Sequence, residues 1–590
     1  MEIHYRAAAS EPTAHRARFS VELADVSSPH VDLVLPSWVP GSYVIRNYSR
    51  GVRDITAHRE PDGAPLPVET VDKARWRVRT GGARRLRVDY TVYGHELITE
   101  GFDLTDDHMF LNAALCLPYI DGQQFTPATV SLELPPDWTT VTELEELSGA
   151  PPTFRAKDYD ELVDSPIDSG RPVVFTVRPA GVPHRICLCG EGGNYDAQSL
   201  ERDVTKIVEA AVAMLGDSPL SRYTFFYHLT DFRDGGLEHL FSTSCVVERT
   251  CFRPPESYRR FLSLTAHEYL HLYNVKRIRP KALMPFDYTR ENYTRLLWWM
   301  EGTTDYFTYL VLRRAGLYTP TQFFDQRAWL VRTYLETPGR NRVSLEELSM
   351  ITWVDHYIPF EETPNQSVSY YYKGDLVSMC LDLEIRHRTE ARASLEDVLR
   401  QLWHEHGRTG VGVDENGLEP LVQRATGVDV SSFFDRYVRG TEELDLATFA
   451  RYAGLSLAPK PKRPDEADTT EPGDLGVAVE DAKGLARVRF SFDGRPGQQA
   501  GLTPGDEIVA VNGSKVTFAN LDKVLEQYPA GTPAELTVFR RGYLHRLSLT
   551  TGARPPAKYA FTPVEAPTEL ERKVYERWVG EKWTPAGASD

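Results

Sequence analysis

Leu264-Thr-Ala-His267-Glu268-Tyr-Leu-His271-Leu-Tyr273 lies in a stretch from Glu256 to Arg279 that has helical periodicity and no proline. Residues four apart stand one above the other on a helix, so His267 and His271 can present both imidazoles to one metal ion. Glu268, one step round, then faces the open side of that ion. Zinc held by neutral ligands lowers the pKa of its bound water toward ~7, and Glu268 is the base that takes that water's proton and passes it to a leaving amine. A histidine pair on a buried helix also reads as hydrogen-bonded core, so the motif needs a further ligand to be decisive.

That ligand is expected from Trp298-Trp-Met-Glu301-Gly-Thr-Thr-Asp305, where a glutamate interrupts an apolar helical run thirty residues beyond His271. An unpaired carboxylate is costly to bury there, and metal coordination removes the cost. Asp305, one turn further, is suited to accept the distal N–H of a ligand histidine.

Outward from this centre the period changes. Up to about residue 180 it is two, as in Phe19, Val21 and Leu23, in Leu86, Val88, Tyr90 and Val92, and in Val130, Leu132 and Leu134. This predicts half-buried strands in a β-sandwich. From Leu200 a helical pattern leads to an apolar strand, Tyr223 to Leu229, and then to helical segments as far as about 450. The expected class is multidomain α+β. Between Leu457 and Gly473 the chain is Pro-rich and charged, which marks an interdomain linker. A β-like module follows to about 552, and then a Pro-rich tail with a capping-box pattern at Thr568 and Glu571 ahead of apolar Leu570, Val574 and Trp578.

Composition sets the outer limits. The 590 residues include 67 Lys and Arg against 84 Asp and Glu, a net charge of −17, which disfavours nucleic acid as a partner. No signal peptide, transmembrane run or membrane partner is visible, and six cysteines are too few for a disulfide framework, so a cytoplasmic setting is expected. Cys187 and Cys189 alternate as strand residues and read as structural thiols.

Together, His267-Glu268-x-x-His271 and Glu301-Gly-Thr-Thr-Asp305 resemble the gluzincin arrangement. Gly235-Gly236-Leu-Glu238-His239 is similar to the Gly-x-Met-Glu-Asn strand of M1 aminopeptidases, and its form resembles family M61, the glycyl aminopeptidases. Tyr273-Asn-Val-Lys-Arg-Ile-Arg-Pro280 and Pro36-Ser-Trp-Val-Pro-Gly-Ser-Tyr43 also look like M61. The resemblance implies a thermolysin-like catalytic domain, one Zn2+ per chain on His267, His271 and Glu301, and Glu238 as anchor for a substrate's free α-amine. Gly235 and Gly236 would let the substrate backbone approach. Tyr370-Tyr371-Tyr372-Lys373-Gly374 resembles the Tyr-Glu-Lys-Gly motif of M1 enzymes, which implies that Tyr371 stabilises the oxyanion. Ala500-Gly-Leu-Thr-Pro-Gly-Asp-Glu-Ile-Val-Ala-Val-Asn-Gly513 resembles a PDZ domain, with Leu475, Gly476 and Val477 at its carboxylate-binding loop.

The expected organisation is a sandwich over 1–180, a catalytic domain over 181–380, a helical subdomain over 381–460, a linker over 461–473, a PDZ domain over 474–552 and a tail with a short helix over 553–590. The expected activity is that of a zinc aminopeptidase acting on peptides with a free N-terminus and a small first residue, Gly or Ala. The PDZ-like module would take a peptide C-terminus or dock within the chain. Two alternatives stay open, an endopeptidase with the same metal centre and a catalytically silent PDZ scaffold. Cobalt or manganese would fit the same ligands.

Overall fold

Alternation of apolar side chains produces the strands that dominate the first part of the chain. In the computed structural model, which describes residues 1–460 and 472–585, Phe19, Val21 and Leu23 of strand Arg16–Ala24 are all buried. That strand lies in an eight-stranded sheet ordered Glu145–Gly149, Pro152–Ala156, Ala128–Glu133, Glu2–Glu11, Arg16–Ala24, Arg85–Tyr93, Val52–Arg59, Pro65–Leu66. Two four-stranded sheets accompany it. One is ordered Thr139–Val141, Ile167–Gly170, His108–Leu111, Phe102–Leu104, and the other Tyr119–Ile120, His30–Val34, Arg75–Arg79, Val68–Asp72. One hydrophobic core spans these strands.

A five-stranded sheet follows, ordered Val173–Val177, His184–Cys189, Tyr223–Thr230, Ser242–Glu248, Gly235–Glu238. Its central strand, Tyr223–Thr230, is buried at every position, as a sheet covered on both faces requires. Helix Ala197–Leu215 turns Leu200, Val204, Ile207, Val208, Ala211 and Leu215 inward, is capped by Asp196 and stops at Gly216. Helix Pro255–Leu270 carries the histidine motif.

The chain separates into two compact units. The first holds Met1–Tyr293, Phe307–Leu317 and Leu399–Asp414; the second holds Thr294–Tyr306, Tyr318–Val398 and the described residues from Glu415 onward. In the second, helix Tyr370–Arg388 is buried around most of its circumference. Its Gly374 meets Gly302, where a Cβ on Gly302 would fall 2.6 Å from the Gly374 Cα, so only glycine permits this backbone approach. Asp382 on the same helix accepts from Tyr306 and Arg386, and Trp578 of the C-terminal helix Glu569–Val579 donates to the Tyr306 hydroxyl at 2.9 Å. Thr568 and Glu571 make the reciprocal cap of that helix.

Strand Leu455–Pro459 pairs antiparallel with Tyr559–Pro563, Pro459 opposite Tyr559. Between them lies a separate β module with its own core, built on Val477–Ala482, Leu485–Ser491, Glu507–Val511, Pro533–Arg540 and Tyr543–Thr550. The expected linker falls almost wholly on 461–471, outside the described residues. All six cysteines are free and buried. No described helix is long and apolar enough to cross a membrane. The class is therefore multidomain α+β, with a β-rich N-terminal region and a helical region after it.

Candidate active site

Helix Pro255–Leu270 ends regularly one residue short of His271, which caps it with φ −61 and ψ −22. The following turns are irregular: the His271 carbonyl accepts from Lys276 N at 2.9 Å, and Ile278 N donates to the Tyr273 carbonyl at 2.7 Å. Within this turn His271 Nδ1 donates to the Asn274 carbonyl at 2.7 Å. That bond fixes the tautomer and leaves a lone pair on Nε2. The two Nε2 atoms of His267 and His271 stand 2.8 Å apart with ring planes at 88°, aimed at a common point. Two imidazoles converging in this way fit a zinc-class cation.

Two carboxylates join them. An oxygen of Glu238, an oxygen of Glu268 and a ring nitrogen of His271 lie within 4.8 Å of one another, on residues that are all buried. Glycines make the room. A Cβ on Gly236 would fall 2.3 Å from the Glu268 carboxylate, and one on Gly41, at φ +102, would fall 2.8 Å from that of Glu238. Gly235, at φ +141, opens the strand Gly235–Glu238 and has open space beside it.

Sequence reading missed what holds this edge strand. Asp164 accepts from Leu240 N at 2.8 Å and pairs with Lys276 at 2.5 Å and His239 at 3.4 Å, so one carboxylate joins the strand to the turn after His271. Burial alone would raise its pKa, but Lys276 and His239 outweigh that and hold the carboxyl well below its usual range. Thr99 binds Asp234, just before the glycines, and its neighbour Glu100 takes Ser42 and Arg46 from the loop containing Gly41.

In the second unit, Glu301 is 2% exposed and sits in a π-helical turn, Trp298–Thr303. Thr304 Oγ1 donates to the Met300 carbonyl at 2.7 Å, and Thr303 bonds Ser378 on the neighbouring helix. Such turns recur at functional sites because the extra residue re-aims side chains. Asp305 is half-buried on the next turn. Tyr371, at the start of helix Tyr370–Arg388, lies 3.3 Å from the Tyr357 hydroxyl and stacks on His356. Burial first, and then the Glu301 charge, push the Tyr371 phenol well above its usual range, which keeps it a donor. Burial holds His356 at about 4, against the pull of Glu301. Lys373 of the same motif is buried, donating to the Arg340 and Val343 carbonyls, and burial lowers it to about 8. It anchors the helix start.

At the expected carboxylate-binding loop, Leu475 packs into the core of the β module and Val477 opens its first strand. The Gly476 amide already donates to Asp474 at 2.9 Å. The module's Ser491 carbonyl and Asp493 amide are bonded to Asn365, and Asp493 pairs with Arg342.

Residues 4–171 match the family model of the peptidase M61 N-terminal domain, and residues 260–377 match that of M61 glycyl aminopeptidase. Among solved structures, an aminopeptidase N family protein from Idiomarina loihiensis is 28% identical at a TM-score of 0.91, covering 97% of this chain and 100% of its own. An M1 zinc metallopeptidase from Deinococcus radiodurans is 14% identical at a TM-score of 0.47, covering 75% of this chain and 94% of its own. A carboxy-terminal-processing protease of Bartonella bacilliformis is 35% identical over 85 residues; the match spans 14% of this chain and 20% of that protein's length. The chain thus carries both M61 peptidase patterns on a fold shared, along nearly its whole length, with an aminopeptidase N family protein.

Proposed function

We propose that this chain is a zinc aminopeptidase that removes a small N-terminal residue, Gly or Ala, from peptides, with His267, His271 and Glu301 as metal ligands. The observation that carries the reading is the convergence of Glu238, Glu268 and His271 over Gly41 and Gly236. The M61 glycyl aminopeptidase match over 260–377 supports a peptidase. Zinc, when bound, supplies Lewis acidity toward a peptide carbonyl and toward water.

The chain's own residues then divide the work. Glu238 binds the substrate's α-ammonium and so sets which peptide bond is presented. Glu268 takes the proton of the attacking water on a carboxylate oxygen and gives it to the departing nitrogen. Tyr371 donates its O–H to the oxyanion as charge develops there. Asp305 orients a ligand histidine. Gly235 and Gly236 leave room for the substrate backbone. The same reading makes 474–552 a PDZ-like module whose role is docking within the chain, because the Gly476 amide is engaged by Asp474 and Asn365 binds the module's edge.

The test measures zinc content and release of p-nitroaniline from glycyl, alanyl, leucyl and N-acetyl-glycyl anilides, before and after chelation. Turnover of free glycyl and alanyl anilides that stops on chelation, with the acetylated one untouched, is expected. Cleavage of the acetylated anilide would move the reading to an endopeptidase, and absence of both zinc and cleavage to a scaffold. A finer probe is Gly236→Ala. The added methyl displaces the Glu268 carboxylate, and a misplacement of about 1 Å costs on the order of 10²-fold in kcat, while the urea midpoint stays close to that of the parent.

A further inference from the structure

A second cluster lies within the first unit, where two sheets face each other. Strand His108–Leu111 pairs antiparallel with Ile167–Gly170, which brings His108 and Asp168 together. Strand His184–Cys189 runs parallel to Tyr223–Thr230, with Cys189 opposite His228. One ligand atom from each of these four residues lies within 4.8 Å of the others. Asp168 and His228 are wholly buried and Cys189 is 3% exposed.

The polar bookkeeping of this pocket is incomplete. His108 Nε2 meets Asp168 Oδ2 at 2.7 Å and the Cys189 thiol also bonds the Asp168 carboxylate, but both ring nitrogens of His228 lack a hydrogen-bond partner. His228 Nδ1 stands 3.7 Å from Asp168 Oδ2, too far for a hydrogen bond. Phe110, at 4.5 Å between ring centroids, and the apolar group of Val141, Phe226 and Cys187 enclose the rest. Buried polar atoms almost always find partners, so a wholly buried imidazole with neither nitrogen engaged calls for an occupant.

We infer that His108, Asp168, Cys189 and His228 form a second metal site, structural in role, for a divalent ion of the zinc class. A thiolate, two imidazoles and a carboxylate make a complete tetrahedral set with no open position, as structural zinc requires. Zinc–ligand bonds of about 2.0–2.3 Å place ligand atoms roughly 3.3–3.7 Å apart, so the His108–Asp168 contact at 2.7 Å would open, while no pair, all being within 4.8 Å, would need to close by more than about 1.5 Å. The Asp103 carboxylate lies 3.9 Å from His108 Nδ1, near enough to interact with that ring by charge but beyond hydrogen-bond distance. The site would tie the strand pair of the N-terminal region to the sheet that carries Glu238. Cys189 would then be a ligand, while Cys187, 3.6 Å from it, keeps its packing role.

The readout is cobalt bound by sulfur, which no histidine–glutamate centre can give. The full chain, stripped by dialysis against chelator and titrated with Co2+, is expected to develop sulfur-to-cobalt charge-transfer absorption. His271→Ala should keep that absorption, and Cys189→Ser should lose it while keeping its other metal. Zinc-grown His271→Ala should retain one equivalent of zinc. If Cys189→Ser does not fold, the absorption and zinc content of His271→Ala decide. Absence of the absorption in the folded parent chain overturns the site, as does its persistence in Cys189→Ser; the pocket then holds water or nothing. Because the signal arises from sulfur, its presence or absence is independent of whether the proposed aminopeptidase centre is correct.

Discussion

Glu268→Gln is expected to lower turnover of glycyl and alanyl anilides by about 10²–10⁴-fold, the usual contribution of a positioned acid–base group. Zinc content and KM should stay close to those of the parent. The amide has the carboxylate's shape and occupies the same space over Gly236, so nothing need move. What it lacks is basicity. Loss confined to kcat identifies a proton-transfer role, because a group that only bound substrate would change KM instead. Kinetics on the alanyl anilide, with metal analysis of the same preparation, make the comparison. A variant with full kcat would sink the base assignment.

Asp164→Asn is expected to cost about 3–5 kcal/mol, the range for removing one partner of a buried ion pair. Lys276 is 5% exposed and Asp164 is its counter-ion at 2.5 Å, so the variant leaves a buried ammonium without its carboxylate. The sign with pH follows from the depressed carboxyl. Above the unfolded-state value of about 3.9 the charged form contributes its full stabilisation. As pH falls below that value the unfolded chain takes up the proton first, and the contribution is lost progressively. Urea unfolding of parent and variant at pH 7 and pH 3 should give a large gap in midpoints at the first and a smaller one at the second. An equal gap at both would rule out the charge as the cause.

Local spacing made part of this site legible. His267 and Glu268 lie on the helix and His271, four residues beyond His267, caps it with helical dihedrals, so their adjacency follows from local geometry. The strands were legible for the same reason: Phe19, Val21 and Leu23 alternate, and all three are buried. Glu238 was found only through resemblance, because a short Gly-Gly-Leu-Glu strand has no periodicity of its own. Asp164 gave no signal, since its partners Leu240 and Lys276 are more than seventy residues away and nothing local distinguishes it from a solvated aspartate. The π-helical turn at Glu301 was likewise hidden: a six-residue run of Trp, Met, Glu, Gly and Thr reads as ordinary helix, and the extra residue is set by packing against Gly374 and Ser378. His108, Asp168, Cys189 and His228 are drawn from four strands, and only sheet topology assembles them.

The ribbon of Leu455–Pro459 and Tyr559–Pro563 changes what kind of object the C-terminal β module is. The chain leaves the helical region at Pro459 and re-enters it opposite the same residue, at Tyr559, before the final helix sends Trp578 into that region's interior. The module is thus an insertion with adjacent ends, hung from a hairpin stem, and not an appendage. Its removal is a loop-shortening problem: joining Pro459 to Tyr559 through a short turn closes an ordinary β-hairpin and keeps the last helix in place. Cutting the chain after Pro459, by contrast, would remove a buried tryptophan and the donor to Tyr306. Excision and truncation, which look alike on a linear map, are opposite operations on this molecule.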